Sequence, residues 1–394
     1  MEAAKSTLAP AAQDDDRIVV IGAGMAGSLL SLVLGRAGLP VTLIDLKREP
    51  ASDFRNEKLG IDQIERLKRL GVLSCFEEAC WGDDAAAGTG LPLKDCGARY
   101  DRWIARVRAA MPPTVSFVEG KVDHIETSAD RQVVTLSNGE TITARLAALA
   151  TGRGERLRAA LGVTREIVSD KHSICLGFSV AKRADAAQET AAQICYGRLG
   201  DRIAYVTIFP MLDEVRVNIF SYRDADDPWI GEMRHDPIGV LTRTLPETAP
   251  ALAGRALARQ LEVRGTDLYA VSGHVQDGVV LLGDAFQATC PSSGTGVTRI
   301  LNDVERLTQA HIPAWFSTPG VGARKIAAFY ADPVKQAVDI DGMRRSIRGR
   351  KATLGVAPCW RARRAVAAFK RAYEVSKSHR DTVPSPHSGA APGA

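Results

Sequence analysis

The sequence predicts an α/β fold: a parallel, Rossmann-like sheet holding a nucleotide site, an inserted antiparallel β-sheet domain, and C-terminal helices. Three observations predict it. The apolar run Ile18-Val19-Val20-Ile21 leads directly into Gly22-Ala23-Gly24-Met25-Ala26-Gly27 and a helical pattern. A second glycine-rich signature lies roughly 260 residues later, Gly278-Val279-Val280-Leu281-Leu282-Gly283-Asp284, followed by Cys290-Pro291-Ser292-Ser293-Gly294-Thr295-Gly296. Between them lie long stretches with strand-like alternation.

The elements follow in order. Ile18–Ile21 reads as a buried strand, and Met25–Ala37 as a helix closed by Gly38 and Pro40. Val41–Asp45 is a second strand, completing a strand-turn-helix-strand unit of nucleotide-binding dimensions. In its turn, Gly22 permits the tight bend, Gly24 lets backbone approach a pyrophosphate, and Gly27 lets helix and strand pack closely. The helix start at Met25 and Ala26 offers free N–H groups and a positive dipole end to phosphates. Asp45, eighteen residues after Gly27, is placed to accept hydrogen bonds from ribose hydroxyls and to repel a 2′-phosphate.

Glu57–Leu70 has apolar residues at helical spacing and ends at Gly71. Another helix is expected around Asp101–Ala110. Val115–Ala150 alternates like short antiparallel strands, with a hairpin turn at Ser137-Asn138-Gly139. Leu146–Ala150 returns to the main sheet. Ile174–Tyr222 again alternates, with a turn at Leu212-Asp213-Glu214. Leu241–Leu261 reads as helical apart from Pro246 and Pro250. Val279–Leu282 is a core strand, Gly296–Gln309 a helix, and the chain after Ala323 helical. The expected organisation is a disordered start (1–16), a nucleotide-binding domain in two parts (17–170 and 276–320), a substrate-side β-sheet domain (171–275), a basic helical segment (321–380) and a disordered tail (381–394).

With 394 residues, 45% of them apolar, the chain can bury a sizeable core. A net charge of +5 is too mild for a nucleic-acid signature. The basic residues crowd the C-terminus: from Lys335 to Arg380 thirteen Lys/Arg face only Asp339, Asp341 and Glu374. A solvated helical face is the expectation there; an acidic partner, a membrane surface or a phosphorylated cosubstrate are the alternatives. Seven scattered cysteines without a CxxC pair suit a reducing compartment. No apolar run reaches membrane-spanning length, and the first sixteen residues lack the apolar core of a signal peptide, so a cytoplasmic protein is expected.

The run Leu146-Ala147-Ala148-Leu149-Ala150-Thr151-Gly152 resembles the ATG motif of two-dinucleotide flavoproteins. Gly283, Asp284, Pro291, Gly294, Gly296 and Asp303 resemble, without a gap, the second fingerprint of the group A flavoprotein monooxygenases, the para-hydroxybenzoate hydroxylase family. Arg55, Leu59 and Leu70-Gly71-Val72 match a further motif of that family. The resemblance implies a glutathione-reductase-type FAD-binding domain. Asp284 would hold a ribityl hydroxyl, Arg55 the pyrophosphate, and the helix start at Gly296-Val297 the flavin N1–C2=O edge. Three departures stand out. Gln287 replaces the usual His, Thr298 the usual Asn, and Thr151-Gly152-Arg153-Gly154-Glu155-Arg156-Leu157-Arg158 lacks the Asp linked to both FAD and NADPH. Arg153, Arg156 and Arg158 serve a phosphate or are surface charge. The halogenase motif Trp-x-Trp-x-Ile-Pro is absent.

The resemblance implies that Pro291, Ser292 and Ser293 lie beside the flavin ring, and that the inserted sheet roofs it. Along Val215–Tyr222, Arg216, Asn218, Phe220 and Tyr222 share one face; Tyr205 and Phe209 sit on the neighbouring strand. An aromatic roof with one cation suits a flat, anionic substrate; ordinary sheet packing is the alternative. His172, His235 and His274 show no ligand spacing, so no metal is expected. Cys290 is expected to pack. The implied activity is insertion of one oxygen atom from O2 into a small, aromatic or otherwise electron-rich substrate through a flavin C4a-hydroperoxide. NAD(P)H, or a separate reductase partner, would supply electrons. The alternatives are a prenyl-reductase-like enzyme acting on carbon–carbon double bonds and a non-catalytic flavin-binding protein.

Overall fold

The computed structural model describes residues 16–82, 92–183 and 192–360, with residues 362 and 366. Of the expected disordered ends, 1–16 and 381–394, everything but Asp16 lies outside the described residues, as does most of 361–380; Asp16 is placed, 2.5 Å from Arg145. In the first half, β1 (Ile18–Ile21) leads into α1 (Met25–Arg36) and β2 (Val41–Asp45). Next come β3 (Asn56–Glu57), α2 (Ile61–Arg69), α3 (Leu73–Trp81), β4 (Ala98–Arg99) and α4 (Tyr100–Ala109). Then follow β5 (Val115–Glu119), β6 (Val122–Glu126), β7 (Gln132–Leu136), β8 (Thr141–Ala144), β9 (Leu146–Leu149) and α5 (Arg156–Ala160). The second half holds β10 (Thr164–Ala181), β11 (Gln193–Tyr196), β12 (Ile203–Pro210), β13 (Glu214–Ser221), α6 (Pro228–His235), α7 (Pro237–Thr244), α8 (Ala249–Leu252) and β14 (Leu257–Ser272). It closes with β15 (Val279–Leu281), β16 (Gln287–Ala288), α9 (Gly296–Arg306), α10 (Ile312–Phe316), α11 (Ala323–Tyr330) and α12 (Pro333–Leu354).

Two large sheets organise the molecule. A parallel five-stranded sheet has the order β15-β9-β1-β2-β5. β1 and β9 are buried along their whole length, as strands covered on both faces must be. The antiparallel six-stranded sheet runs β11-β12-β13-β10-β14-β16. One face of it packs Val215, Val217 and Ile219 against Ile230 and Met233 of α6, Leu241 of α7 and Leu245 just after it. The alternation of β13 then turns Arg216, Asn218 and Phe220 to the other face. This agrees with the α/β fold read from the sequence, an inserted antiparallel sheet included.

Four local expectations need correction. β5 is not part of an antiparallel run: it pairs parallel with β2, Val41 beside Val115. An edge strand alternates in polarity whichever way its neighbour runs. The helix expected from Glu57 starts at Ile61, because Asn56–Glu57 pair with Arg99 and Ala98 and Gly60 caps the helix. The stretch Leu241–Leu261 stops being helical at Leu252, and Leu257–Leu261 already belong to β14. β14 pairs with β10 over most of its length, and that partner outweighs local propensity. β10 itself begins ten residues before Ile174.

The C-terminal helix also departs from a simple solvated face. α12 buries Lys335, Asp339, Gly342 and Ser346. Lys335 Nζ lies 2.7 Å from Asp303 and 3.0 Å from Asp339, and Arg299 Nε 2.9 Å from Asp339. Two cations and two carboxylates thus lock α12 onto α9.

Candidate functional site

The site assembles at the carboxyl ends of the parallel strands, the usual place for a ligand in an open α/β sheet. Gly22 ends β1 with φ +100°, and a Cβ there would stand 2.5 Å from the Ala150 carbonyl oxygen. A Cβ on Gly27 would lie 1.9 Å from the Gly22 oxygen. Only glycine serves at these two positions. The N-cap residue of α1, Gly24, has no side chain to cap the start of the helix at Met25 and Ala26. The Met25 N–H donates to the Tyr100 hydroxyl at 3.0 Å, and the Ala23 N–H to the Asp45 carboxylate. Arg108 reaches the Ala23 carbonyl behind this turn.

Arg55 stacks on the Tyr100 ring, its guanidinium carbon 3.7 Å from the centroid, and pairs with Asp53 at 3.0 Å. Burial would lower its pKa, but Tyr100, Asp53 and Glu57 together hold it above the ordinary guanidinium value. A cation therefore sits on the same tyrosine that meets the α1 N-terminus. Burial pushes the Glu57 carboxyl up against the opposing pull of Arg55, with Asp53 and Asp284 adding to the rise.

The second glycine-rich segment faces this turn. Gly283 has φ +61° and its N–H donates to Asp303 at 3.3 Å. The Asp284 carbonyl accepts from Tyr269 at 2.7 Å and from Arg158. This leaves the Asp284 carboxylate one-third exposed, 3.6 Å from Arg153 Nε. The three arginines after the ATG-like strand thus separate. Arg153 faces Asp284, Arg156 bonds Val122 and Asp123 at the surface, and Arg158 is buried in structural contacts. Open space surrounds Gly294 and Gly296, where an added Cβ would meet nothing within 4 Å. The N-terminus of α9 carries no side-chain cap, and Val297 in its first turn is buried.

The turn Pro291-Ser292-Ser293 is held from the antiparallel sheet. Tyr205 donates to the Ser292 carbonyl at 2.8 Å, and the Tyr222 and Ser292 hydroxyls share a hydrogen bond of 2.9 Å. Burial raises the pKa of both phenols, keeping them protonated. Tyr205 also lies 4.6 Å from Phe220, ring to ring. Cys290 is buried, its thiol 3.0 Å from Ser292 Oγ and 3.1 Å from Ser173 Oγ. Arg216 is not free in the roof: it donates to Asn218 at 2.8 Å and to the Phe54 carbonyl at 2.9 Å, and burial lowers its pKa to about 10. Phe209 packs on Gly97, where a Cβ would stand 2.3 Å from its ring.

These residues fit FAD. Two helix starts without an N-cap side-chain bond, an unobstructed glycine cradle and the cation at Arg55 suit a pyrophosphate and a flavin, and Asp45 and Asp284 suit sugar hydroxyls at either end. The sequence reading missed Tyr100, Glu57 and Ser173, together with Ser346 and Gly349 of α12. None of them stands in a spacing pattern. Each acquires its neighbour only through folding: Tyr100 lies 75 residues from Met25, and Ser346 Oγ accepts the Cys290 N–H from 56 residues away.

The fold is that of the FAD-dependent oxidoreductases of the monooxygenase type. The p-nitrophenol 4-monooxygenase of Pseudomonas putida superposes with a TM-score of 0.67 at 18% identity, over 88% of this chain and 92% of that one. Residues 17–176 match the lycopene cyclase protein family. In sequence, the chain is 25% identical to 3-demethoxyubiquinol 3-hydroxylase of Escherichia coli over 336 residues, 77% of this chain and 82% of the relative. It is 24% identical to a squalene epoxidase of Aspergillus fumigatus over 337 residues, 78% of this chain and 68% of the relative.

Proposed function

We propose that this protein is an FAD-dependent monooxygenase acting on a small, electron-rich organic substrate, with NAD(P)H or a separate reductase supplying electrons. One observation carries the reading. The α1 N-terminus meets Tyr100, on which Arg55 stacks; Gly283, beside Asp284, lies against Ala26 of α1; and the Pro291–Ser293 turn that follows is hydrogen-bonded to Tyr205 and Tyr222 of the antiparallel sheet. Bound FAD would supply O2 activation and transfer of one oxygen atom, the second oxygen leaving as water. The chain supplies the rest. Gly22 and Gly27 keep the turn tight, Gly24 and Ala26 offer backbone N–H groups to the pyrophosphate, and Met25, its N–H held by Tyr100, starts the helix. Arg55 neutralises it, and Asp45 and Asp284 orient the two sugar portions. Gly294, Gly296 and Val297 direct the α9 dipole at the flavin, favouring its reduced anion.

Pro291, Ser292 and Ser293 form the wall beside the reacting ring, and the neutral Tyr205 and Tyr222 fix that wall while excluding water. Phe220 is the aromatic neighbour of Tyr205 on the substrate side. Phe209, Arg216 and Asn218 act as struts beneath it. No side chain need serve as a nucleophile; burial pushes the Glu57 carboxyl up, and it feels the charges of Arg55 and Asp284. The names of two relatives, a squalene epoxidase and a demethoxyubiquinol hydroxylase, support an apolar substrate whose alkene or ring is electron-rich.

A second reading is a flavin enzyme reducing carbon–carbon double bonds without O2; the lycopene cyclase match over residues 17–176 favours chemistry on an isoprenoid. Anaerobic turnover separates the two. The deciding measurement is O2 uptake, NAD(P)H oxidation and product formed by the FAD-loaded protein across apolar alkenes and phenols. One O2 and one reduced nicotinamide per oxygenated product supports the monooxygenase. Product formation in sealed anaerobic vessels, or O2 recovered only as hydrogen peroxide with every substrate, refutes it.

A further inference from the structure

The outward face of α12 is cationic. Arg344, Arg345, Arg348 and Lys351 are all exposed, within two turns of helix. Asp341 neutralises Arg345 at 2.6 Å. Among the described residues, Arg344, Arg348 and Lys351 have no carboxylate at ion-pair distance. Exposed apolar side chains adjoin this stripe: Ile340 on the same face and Val356, 78% exposed, just beyond its end. The sequence continues in the same character. Residues 361–380 hold seven Lys/Arg and one acid, Glu374, interleaved with Val366, Phe369 and Tyr373. Cations alternating with bulky apolar groups are the composition of a segment that lies on a membrane surface, where lysine and arginine meet phosphates and the apolar groups sink between headgroups.

We infer that the exposed face of α12 docks the protein on an anionic phospholipid bilayer. The opposite face of the same helix contacts the candidate site. Ser346 Oγ accepts the Cys290 N–H at 3.0 Å, and Gly349 abuts the Tyr222 hydroxyl, 2.9 Å from where its Cβ would be. Docking therefore places the bilayer about one helix diameter, roughly 10–12 Å, from the Pro291–Ser293 turn. An apolar substrate could pass from lipid to cleft with little exposure to water; this consequence rests on the proposed flavin chemistry, whereas the docking itself does not.

The test is co-sedimentation of the full-length protein with vesicles of phosphatidylcholine alone or with one-quarter phosphatidylglycerol. The expected result is binding to the anionic vesicles only, lost in about 0.5 M salt, where charges more than roughly 4 Å apart are screened. The triple variant Arg344→Gln/Arg348→Gln/Lys351→Gln should partition on the order of 10²-fold less, about five-fold for each cation removed. Its FAD content and melting temperature should match the parent, since all three side chains are exposed. Equal binding to both vesicle types, binding unchanged in the triple variant, or equally strong retention on double-stranded RNA would overturn the assignment. Because none of these readouts needs turnover, failure here leaves the oxygenase reading untouched.

Discussion

Replacing Lys335 with Met tests the ion network that ties α12 to the cofactor side of the fold. Lys335 and Asp303 are each 1% exposed, 2.7 Å apart, and Asp303 also receives the Gly283 N–H. The network is balanced, with Arg299 and Lys335 against Asp303 and Asp339. Methionine keeps the volume but leaves one buried carboxylate without its cation, a change that costs about 3–5 kcal/mol. Unfolding entropy near roughly 2.1 cal/mol/K per residue gives about 0.8 kcal/mol/K for this chain. The melting temperature should therefore fall by about 4–6 °C at neutral pH.

The pH dependence has a definite sign. Burial already holds the Asp303 carboxyl above its ordinary value against the pull of Lys335. Without Lys335 it rises further. A folded-state pKa above the unfolded one means the native variant binds the extra proton, so its deficit shrinks as pH falls through that folded pKa. Adding Asp303→Asn should recover more than half of the loss, since the amide carbonyl can still accept from Gly283 and the Arg299–Asp339 pair remains balanced. Thermal unfolding of both single variants and the double variant, across pH 5 to 8, is the assay. A loss below about 1 kcal/mol for Lys335→Met, or a double variant that sums the two singles, would refute the reasoning.

Other consequences are equally direct. Arg55→Ala should weaken FAD binding roughly 10- to 100-fold, the worth of about 1.5–3 kcal/mol for a charge-assisted contact, as read by flavin fluorescence titration; unchanged affinity would remove Arg55 from the pyrophosphate site. Gly349→Ala should destabilise by about 1–3 kcal/mol, because its Cβ would stand 2.9 Å from the Tyr222 hydroxyl, and Tyr222→Phe in the same chain should abolish most of that penalty. His172 is buried and its pKa is lowered to about 4, by burial first and Arg350 second. Its neutral form is therefore the folded one. Stability is complete above the unfolded value near pH 6.5 and falls by up to roughly 3 kcal/mol as pH drops to about 4; His172→Gln should flatten that acid limb in denaturant melts. Gly22→Val should yield no folded, flavin-retaining protein, since it needs φ +100° and clears the Ala150 oxygen by only 2.5 Å.

Local signals carried much of the fold. Four consecutive apolar residues, a glycine-rich turn and Asp45 marked the β1-α1-β2 unit, because backbone sterics and phosphate geometry allow few alternatives there. The alternation along β13 separated Val215, Val217 and Ile219 from Arg216, Asn218 and Phe220 before any partner was known. Where a segment takes its form from a distant partner, the local pattern misled. Leu257–Leu261 looks helical but is a strand because β10 lies beside it, and Asn56–Glu57 leave the helix because β4 claims them.

The α/β class, the two glycine-rich segments and the alternating faces of β12 and β13 are legible along the chain, since each follows from chemistry within a few neighbouring residues. How those pieces meet is set by packing. It put Arg55 on Tyr100 beside the α1 N-terminus, divided Arg153, Arg156 and Arg158 among three separate duties, tied Arg216 to a carbonyl instead of leaving it open, and buried Lys335 in a segment that composition marks as solvated. Contacts across 30 to 160 residues depend on which surfaces packing brings together, and no spacing rule along one chain encodes that.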